Sequence, residues 1–437
     1  MSDYTKERSV NKLILNIFAF LLGLFACNNI IYVFRVGNTN INIITVYSVL
    51  LIFLIFISSY RQINKALLMI PKYWMAFGVL IIFSSVLMFV YFNNYSAYFI
   101  RYVNGIIELL LMLNIMLCVL CLKNYKDYII KGLTLGLMLN LIISIFTYVT
   151  FLAGDVFTLT DFFPQGSFYK PTINFRTQGL FLEPSHFLAF IISVIAIIWS
   201  SKKWKQIFTP LYVIIFFLVV ALSTSGNIPL LALIIILFFT LTRSFKKHNG
   251  TNIKFFFITI AGLFIISIIY AMFWEQFLQL DMVEGVLKGI QGSNLGSEEN
   301  YGRTYNMLLG LNLYSHYPLG VGYNMSPSLY EINFGRNYVL SSFSFVITIL
   351  LELGPIGLIL YIIIILKMCL PLIFKSTSQY QLAVGISVIG VFLVQAANGY
   401  RFVPYMSVVF GLALIELHKL KCEKNQSSHV KRRVIWK

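Results

Sequence analysis

The sequence predicts an all-α polytopic membrane protein, and three observations carry that prediction. Of its 437 residues, 59% are hydrophobic and only 11% charged, and mean hydropathy is +0.82, far outside the usage of soluble domains. The apolar residues gather in runs close to the length that crosses ~30 Å of hydrocarbon as a helix. The short alternating segments of a membrane barrel do not occur in the sequence. The expected organisation is a single integral membrane domain, 1–437, of about twelve transmembrane helices. It carries two large extracytoplasmic loops, 153–179 and 274–336, the second with short helices, and a basic cytoplasmic tail, 419–437.

Taken in order, the first run (12–34) follows a short basic segment. It has no small-residue cleavage site and a second run follows at once, so it reads as a retained helix rather than a signal peptide. Runs at 41–60, 73–92, 97–122 and 128–152 come next. After the first long connection come 180–200, 206–223, 227–242 and 254–273. After the second come 337–353, 355–374, 380–397 and 403–418. Both chain ends are basic, so both belong in the cytoplasm by the positive-inside rule. Thirteen crossings would separate them, so one run must fail to cross. The run 337–353 is the expected one: it is short, carries three serines and Glu352, and meets Gly354-Pro355 directly. If it dips and returns, or lies along the surface, Gly354 is outside.

The net charge of +17 would also fit a nucleic-acid binder. The basic residues, however, lie between apolar runs and in the tail, with no aromatic-interleaved patch. They read as topology signals, and no nucleic-acid partner is expected. The five cysteines sit in apolar runs or the tail, so neither a disulfide framework nor a cysteine metal site is implied. Cys118-Val-Leu-Cys121 lies inside a span and reads as packing.

With this topology, eight of the 33 lysines and arginines face outward: Arg35, Arg101, Lys170, Arg176, Lys288, Arg303, Arg336 and Arg401. A cation at membrane depth is costly and is usually paired or functional. One arginine alone reads as a snorkelling anchor or an ion-pair partner of Asp155, Asp161 or Glu275. As a set, guanidiniums suit a diphosphate, because each forms bidentate, charge-assisted bonds to phosphate oxygens. Glu183 stands beside Pro184 at an expected helix start. It reads equally as a first-turn acid favoured by the helix dipole and as a carboxylate that orients an arginine or takes a proton. In the second loop, His316 is a candidate general base. Pro318, Gly320 and Gly322 then force a turn whose backbone can approach a ligand. Gly320-Val-Gly322 is not a dinucleotide fingerprint, and no metal-binding motif occurs, so no cofactor or metal is implied.

These segments resemble the superfamily of O-antigen polymerases (Wzy-type) and O-antigen ligases. The family pattern R-x-x-G-x-x-x-E-P appears as Arg176-Thr-Gln-Gly179-Leu-Phe-Leu-Glu183-Pro184. Gly302-Arg303 and then His316-Tyr-Pro318-Leu-Gly320-Val-Gly322 follow in the second loop, and Leu353-Gly354-Pro-Ile-Gly357 comes after it. An arginine often found in that family before the basic inner loop is missing, where the chain reads Ser223-Thr-Ser-Gly226.

The resemblance implies a metal-independent inverting glycosyltransferase in the bacterial plasma membrane. It would move a glycan from undecaprenyl diphosphate to a hydroxyl of another lipid-linked repeat unit, making O-antigen, capsule or exopolysaccharide. Its partners would be those lipid-linked oligosaccharides, membrane lipids, a chain-length regulator and a flippase. Arg176 and Arg303 would hold the diphosphate, with Arg101, Arg336 and Arg401 as further binding candidates beside Gly320 and Gly322. His316 would activate the acceptor, with Glu183 supporting or substituting. A ligase acting on lipid A–core is the alternative within the family. A polysaccharide or solute transporter is the alternative outside it, although no repeated halves are visible.

Overall fold

The computed structural model describes residues 2–28, 32–36, 39–92, 95–153, 179–181, 184–201, 210–223, 227–248, 303–334, 344–399 and 403–435. They are almost wholly helical. The helices are α1 (Ser2–Phe25), α2 (Ile43–Leu67), α3 (Lys72–Phe83), α4 (Ser85–Tyr91), α5 (Tyr95–Cys121), α6 (Lys126–Leu152) and α7 (Pro184–Ser200). They continue with α8 (Pro210–Leu222), α9 (Ile228–His248), α10 (Arg303–His316), α11 (Ser326–Phe334), α12 (Phe345–Phe374), α13 (Gln379–Ala397) and α14 (Pro404–Ile435).

The chain is a membrane protein by the length and hydropathy of its helices. Among the described residues five helices are long and apolar enough to cross, or six if the bent α2 is one span. Four shorter apolar helices accompany them: Lys12–Phe25, Pro184–Ser200, Val213–Leu222 and Ile228–Arg243. Large apolar side chains such as Phe53, Ile57, Ile82, Phe83, Leu110 and Ile142 are exposed on the outer helices, as expected where lipid is the solvent. α7 is the opposite case. It is apolar all round and almost every residue is buried, the pattern of a helix enclosed by others. α13 and the first half of α14 pack against it and complete the core.

Every expected run except 254–273, which lies outside the described residues, has a helix, but several boundaries move: α1 starts at Ser2, α2 runs on to Leu67, and α14 continues through the expected tail to Ile435. The run 12–34 does not form one helix. α1 stops at Phe25, and Tyr32–Val36 (β1) pairs antiparallel with Thr39–Asn42 (β2), Val36 opposite Thr39. Two residues, Gly37-Asn38, separate runs rich in β-branched and aromatic residues, a hairpin signal masked by overall hydropathy. The run 73–92 divides at Ser84 into α3 and α4.

α1 and α6 approach closely because glycine lines their contact. A Cβ on Gly132 would stand 2.1 Å from the Phe20 carbonyl oxygen, and one on Gly23 2.0 Å from that of Ile129. Gly132 and Gly136 form the small-xxx-small spacing that lets membrane helices meet backbone to backbone. α13 begins with a local cap. The Ser378 hydroxyl accepts from Gln381 N–H, and the Gln381 side chain accepts from Thr377 N–H at 2.8 Å, closely following capping-box logic.

α12 is two helices. Gly354 has φ 65° and ψ −169°, outside the helical region. The ring centroids of Phe345 and Tyr361 lie 5.4 Å apart, whereas sixteen residues of straight helix would separate them by ~24 Å. The first arm, 345–353, therefore turns back on the second, 355–374. Both arms sit at the same level on α13: Phe345 N–H donates to the Asn398 carbonyl at 3.1 Å, and the Tyr361 hydroxyl donates to Gln395 Oε1. Length and hydropathy count Phe345–Phe374 as one span. The second arm alone is twenty residues and ~30 Å long.

Candidate functional site

The reversal at Gly354 is where the second long loop docks. Between α10 and α11 the chain passes Gly320 (φ 90°) and Gly322 (φ 103°), a region that L side chains adopt only with strain. Val321 N–H donates to the Leu351 carbonyl and Gly322 N–H to the Glu352 carbonyl, both at 2.9 Å. These are carbonyls at the end of the first arm, which lose intrahelical partners where the helix stops. The fit is backbone against backbone. A Cβ on Gly320 would lie 2.6 Å from the Glu352 carbonyl oxygen, and one on Gly354 2.7 Å from that of Leu319. The His316–Gly322 and Leu353–Gly357 segments, 31 or more residues apart in sequence, are thus one structural unit.

Three further bonds seat the loop. Tyr323 N–H donates to Ser84 Oγ at 3.0 Å, at the junction of α3 and α4. Asn324, with φ 65°, donates from Nδ2 to the Arg101 carbonyl at 2.7 Å. The Glu352 carboxylate, 1% exposed, accepts from Ser326 N–H at 3.2 Å and Ser326 Oγ at 2.7 Å. It sits at the start of α11, where a helix favours negative charge.

Arg101 lies in the second turn of α5. Its guanidinium donates to Ser328 Oγ and stands 3.7 Å from Glu331 Oε2. The cation expected as a diphosphate ligand is therefore joined to α11. Tyr330 ties α11 to α10, its hydroxyl donating to the Asn306 carbonyl at 3.0 Å. Burial raises its phenol above the ordinary value, which keeps it a donor. His316 ends α10 on an exposed surface. Its Nδ1 lies 3.0 Å from the Asn312 carbonyl oxygen and 3.4 Å from Ser315 Oγ. A proton on Nδ1 would leave Nε2 as the basic nitrogen. Arg303 is the first residue of α10; its side chain lies outside the described residues.

Of the first motif, Gly179–Phe181 and Pro184 onward are described. Leu180 N–H donates to Asn140 Oδ1 at 2.7 Å, and Asn140 Nδ2 donates to the carbonyls of Cys27 (2.9 Å) and Gly136 (2.8 Å). Asn140 is fully buried about 20 Å along α6 from Lys126, so the segment after the first long loop reaches into the helix bundle. Phe181 packs on Phe190 and on Tyr405 of α14. Pro184 opens α7 at the position that tolerates a missing N–H. Arg176, Glu183, Arg336 and Arg401 lie outside the described residues.

A buried amide relay joins the two halves of the site. Asn227 Nδ2 donates to the Ser185 carbonyl (3.0 Å), and Asn398 Nδ2 donates to Asn227 Oδ1 (3.2 Å). The Asn398 carbonyl receives Phe345 N–H, the start of the arm whose far end holds the glycine loop. Ser185 is two residues after Glu183, and Asn398 three before Arg401. Asn140, Asn227, Asn398 and Glu352 were not site candidates from the sequence, although each is a polar residue in or beside an apolar run. Among the described residues no three His, Cys, Asp or Glu side chains converge as a metal site.

Fold and site together define an integral membrane protein with a polar, hydrogen-bonded loop assembly at one end of its bundle. The chain matches no protein-family model and no curated protein.

Proposed function

We propose that this protein is a repeat-unit polymerase of the Wzy type, acting on undecaprenyl-diphosphate-linked oligosaccharides at the outer face of the bacterial plasma membrane through about twelve spans. The observation that carries the reading is the docking of the His316–Gly322 segment on Gly354. Two of the segments that resemble the family are joined by main-chain hydrogen bonds, and the amide relay leads from them to Ser185 in the first turn of α7.

In this reading the acceptor hydroxyl oxygen attacks the anomeric carbon of the donor sugar. Its proton passes to His316, or to Glu183. The bond from that carbon to the diphosphate oxygen breaks, and the diphosphate keeps the electron pair, so the anomeric centre inverts. Arg176 and Arg303 stabilise the growing negative charge, as fixed cations do in a low-dielectric site. Arg101, engaged by Ser328 and Glu331, acts by holding α11 and the glycine loop against α5, and Arg336 and Arg401 complete the anion site.

The test is chain growth from labelled lipid-linked repeat units mixed with purified protein. Longer glycans on the lipid support the polymerase. Transfer only to lipid A–core identifies a ligase, and uptake into vesicles without new bonds a transporter. Arg303→Lys loses the planar fork and is expected to slow growth by at least about a hundredfold, measured as initial rate. His316→Ala is expected to reduce turnover by ~10²–10⁴ while donor binding persists. If turnover survives, Glu183 is the base.

A further inference from the structure

At the end of α5 remote from Arg101, α2 makes an elbow. Its axis turns by 115° between Ile43–Ser58 and Tyr60–Leu67, so the second segment runs across the first. That segment is amphipathic: Ile63 and Ala66 are buried, while Arg61, Gln62 and Lys65 are exposed. Leu68, just beyond it, is 86% exposed. A short basic segment with an exposed apolar rim is what lies flat where headgroups meet acyl chains.

Between this elbow and the end of α5 is a pocket of about 240 Å³. Lys65 and Lys123 supply its charge, and Gln62, Asn124 and Tyr125 its neutral polar groups. One wall is apolar, formed by Met69 and Leu120. Among the described residues that line it, none is acidic. The nearby Lys126 is already taken: it pairs with the buried Glu416 and lies 4.6 Å over the Tyr380 ring. Twenty residues of α5 separate Arg101 from Cys121, which is ~30 Å, one bilayer thickness. The pocket therefore belongs to the opposite interface from the glycine loop.

We propose that this pocket binds the phosphate headgroup of an anionic phospholipid, with Lys65 and Lys123 on the phosphate and the acyl chains along the apolar wall. Two cations in one pocket with neutral donors, apolar lining and no carboxylate among the described lining residues favour a monoanionic phosphodiester that carries hydrocarbon. Basic pockets between helices at an interface are where such headgroups bind. The site is independent of the glycosyl-transfer reading.

The experiment uses the purified full chain in detergent, titrated separately with phosphatidylglycerol, phosphatidylcholine and inorganic phosphate. Readouts are the thermal unfolding midpoint and bound lipid by native mass spectrometry. Phosphatidylglycerol is expected to raise the midpoint in a saturable way, with neither other ligand doing so. Lys65→Gln/Lys123→Gln is expected to bind it about thirtyfold more weakly. Arg243→Glu, an exposed residue on α9 with the same two-unit change in net charge, is expected to bind as the parent does. Equal effects of phosphatidylcholine would overturn the proposal. So would reproduction of the shift by inorganic phosphate, which would make the site one for the free anion, or unchanged binding in the double variant.

Discussion

A single backbone angle decides whether the glycine loop can seat. Gly320 and Gly354 face one another with positive φ, each against a carbonyl oxygen of the other's segment. Gly320→Ala is expected to destabilise the protein by at least about 2 kcal/mol, from the left-handed backbone alone and from a contact that backbone cannot yield. Gly78→Ala is the control, since nothing lies within 4 Å of the position where its Cβ would stand, and its unfolding midpoint should not fall. Chemical denaturation of both variants in the same detergent checks the pair. At this scale the sequence was partly legible. Gly320 and Gly322 were readable as a turn allowing close approach. The approach in question is to another backbone segment, and nothing in Leu353-Gly354 names its partner. Arg101 was readable as a costly cation, but its partners Ser328 and Glu331 lie 227 and 230 residues away. The sequence offers Asp155, Asp161 and Glu275 as partners for an outer arginine, and pairing at that separation leaves no local pattern.

At the scale of elements, the first arm of α12 is the link between the amide relay and the glycine loop. Its start is fixed by Asn398 and its end by Val321 and Gly322. If the two glycines serve one contact, their effects cannot add. The doubly substituted Gly320→Ala/Gly354→Ala protein is expected to lose less stability than the sum of the single losses, with an interaction term on the order of 1 kcal/mol or more. A double-mutant cycle from denaturant midpoints measures it, and strict additivity would mean the segments do not touch. Helix positions were the most legible part of the sequence, because a run of twenty apolar residues has few other uses. The hairpin Tyr32–Asn42 was lost for the same reason. Tyr32, Val33 and Phe34 are apolar enough to extend the preceding run, and hydropathy alone does not distinguish a strand from a helix. The serines, Glu352 and Gly354-Pro355 mark 337–353 as unlike the other runs, and the described part of it, Phe345–Leu353, is the arm that folds back at Gly354 to bring Phe345 against Tyr361.

For the whole molecule, the glycine loop and the α2 elbow should lie on opposite sides of the bilayer. Leu319 is 66% exposed, and Lys123 lies at the other end of α5. In a background lacking the exposed Cys422, Leu319→Cys is expected to react with a membrane-impermeant maleimide added to intact cells. Lys123→Cys is expected to react only after lysis. Labelling of both from one side would contradict this arrangement. Charge bias alone pointed to that sidedness, since the basic residues are concentrated near one set of helix ends. What sequence could not supply is convergence. Among the described residues, neutral amides and glycines seat the segment 320–324 on α12 and α5, and their signal is weak beside that of charge.

The junction of Gly320 with Gly354 has one more consequence. Because it is built from peptide groups, it fixes its glycines and leaves the exposed neighbours Pro318 and Leu319 free to vary in size and polarity. Such a joint acts as a fixed hinge-pin in an interchangeable fitting. The exposed flanking side chains can be exchanged while the seat beneath them keeps its shape.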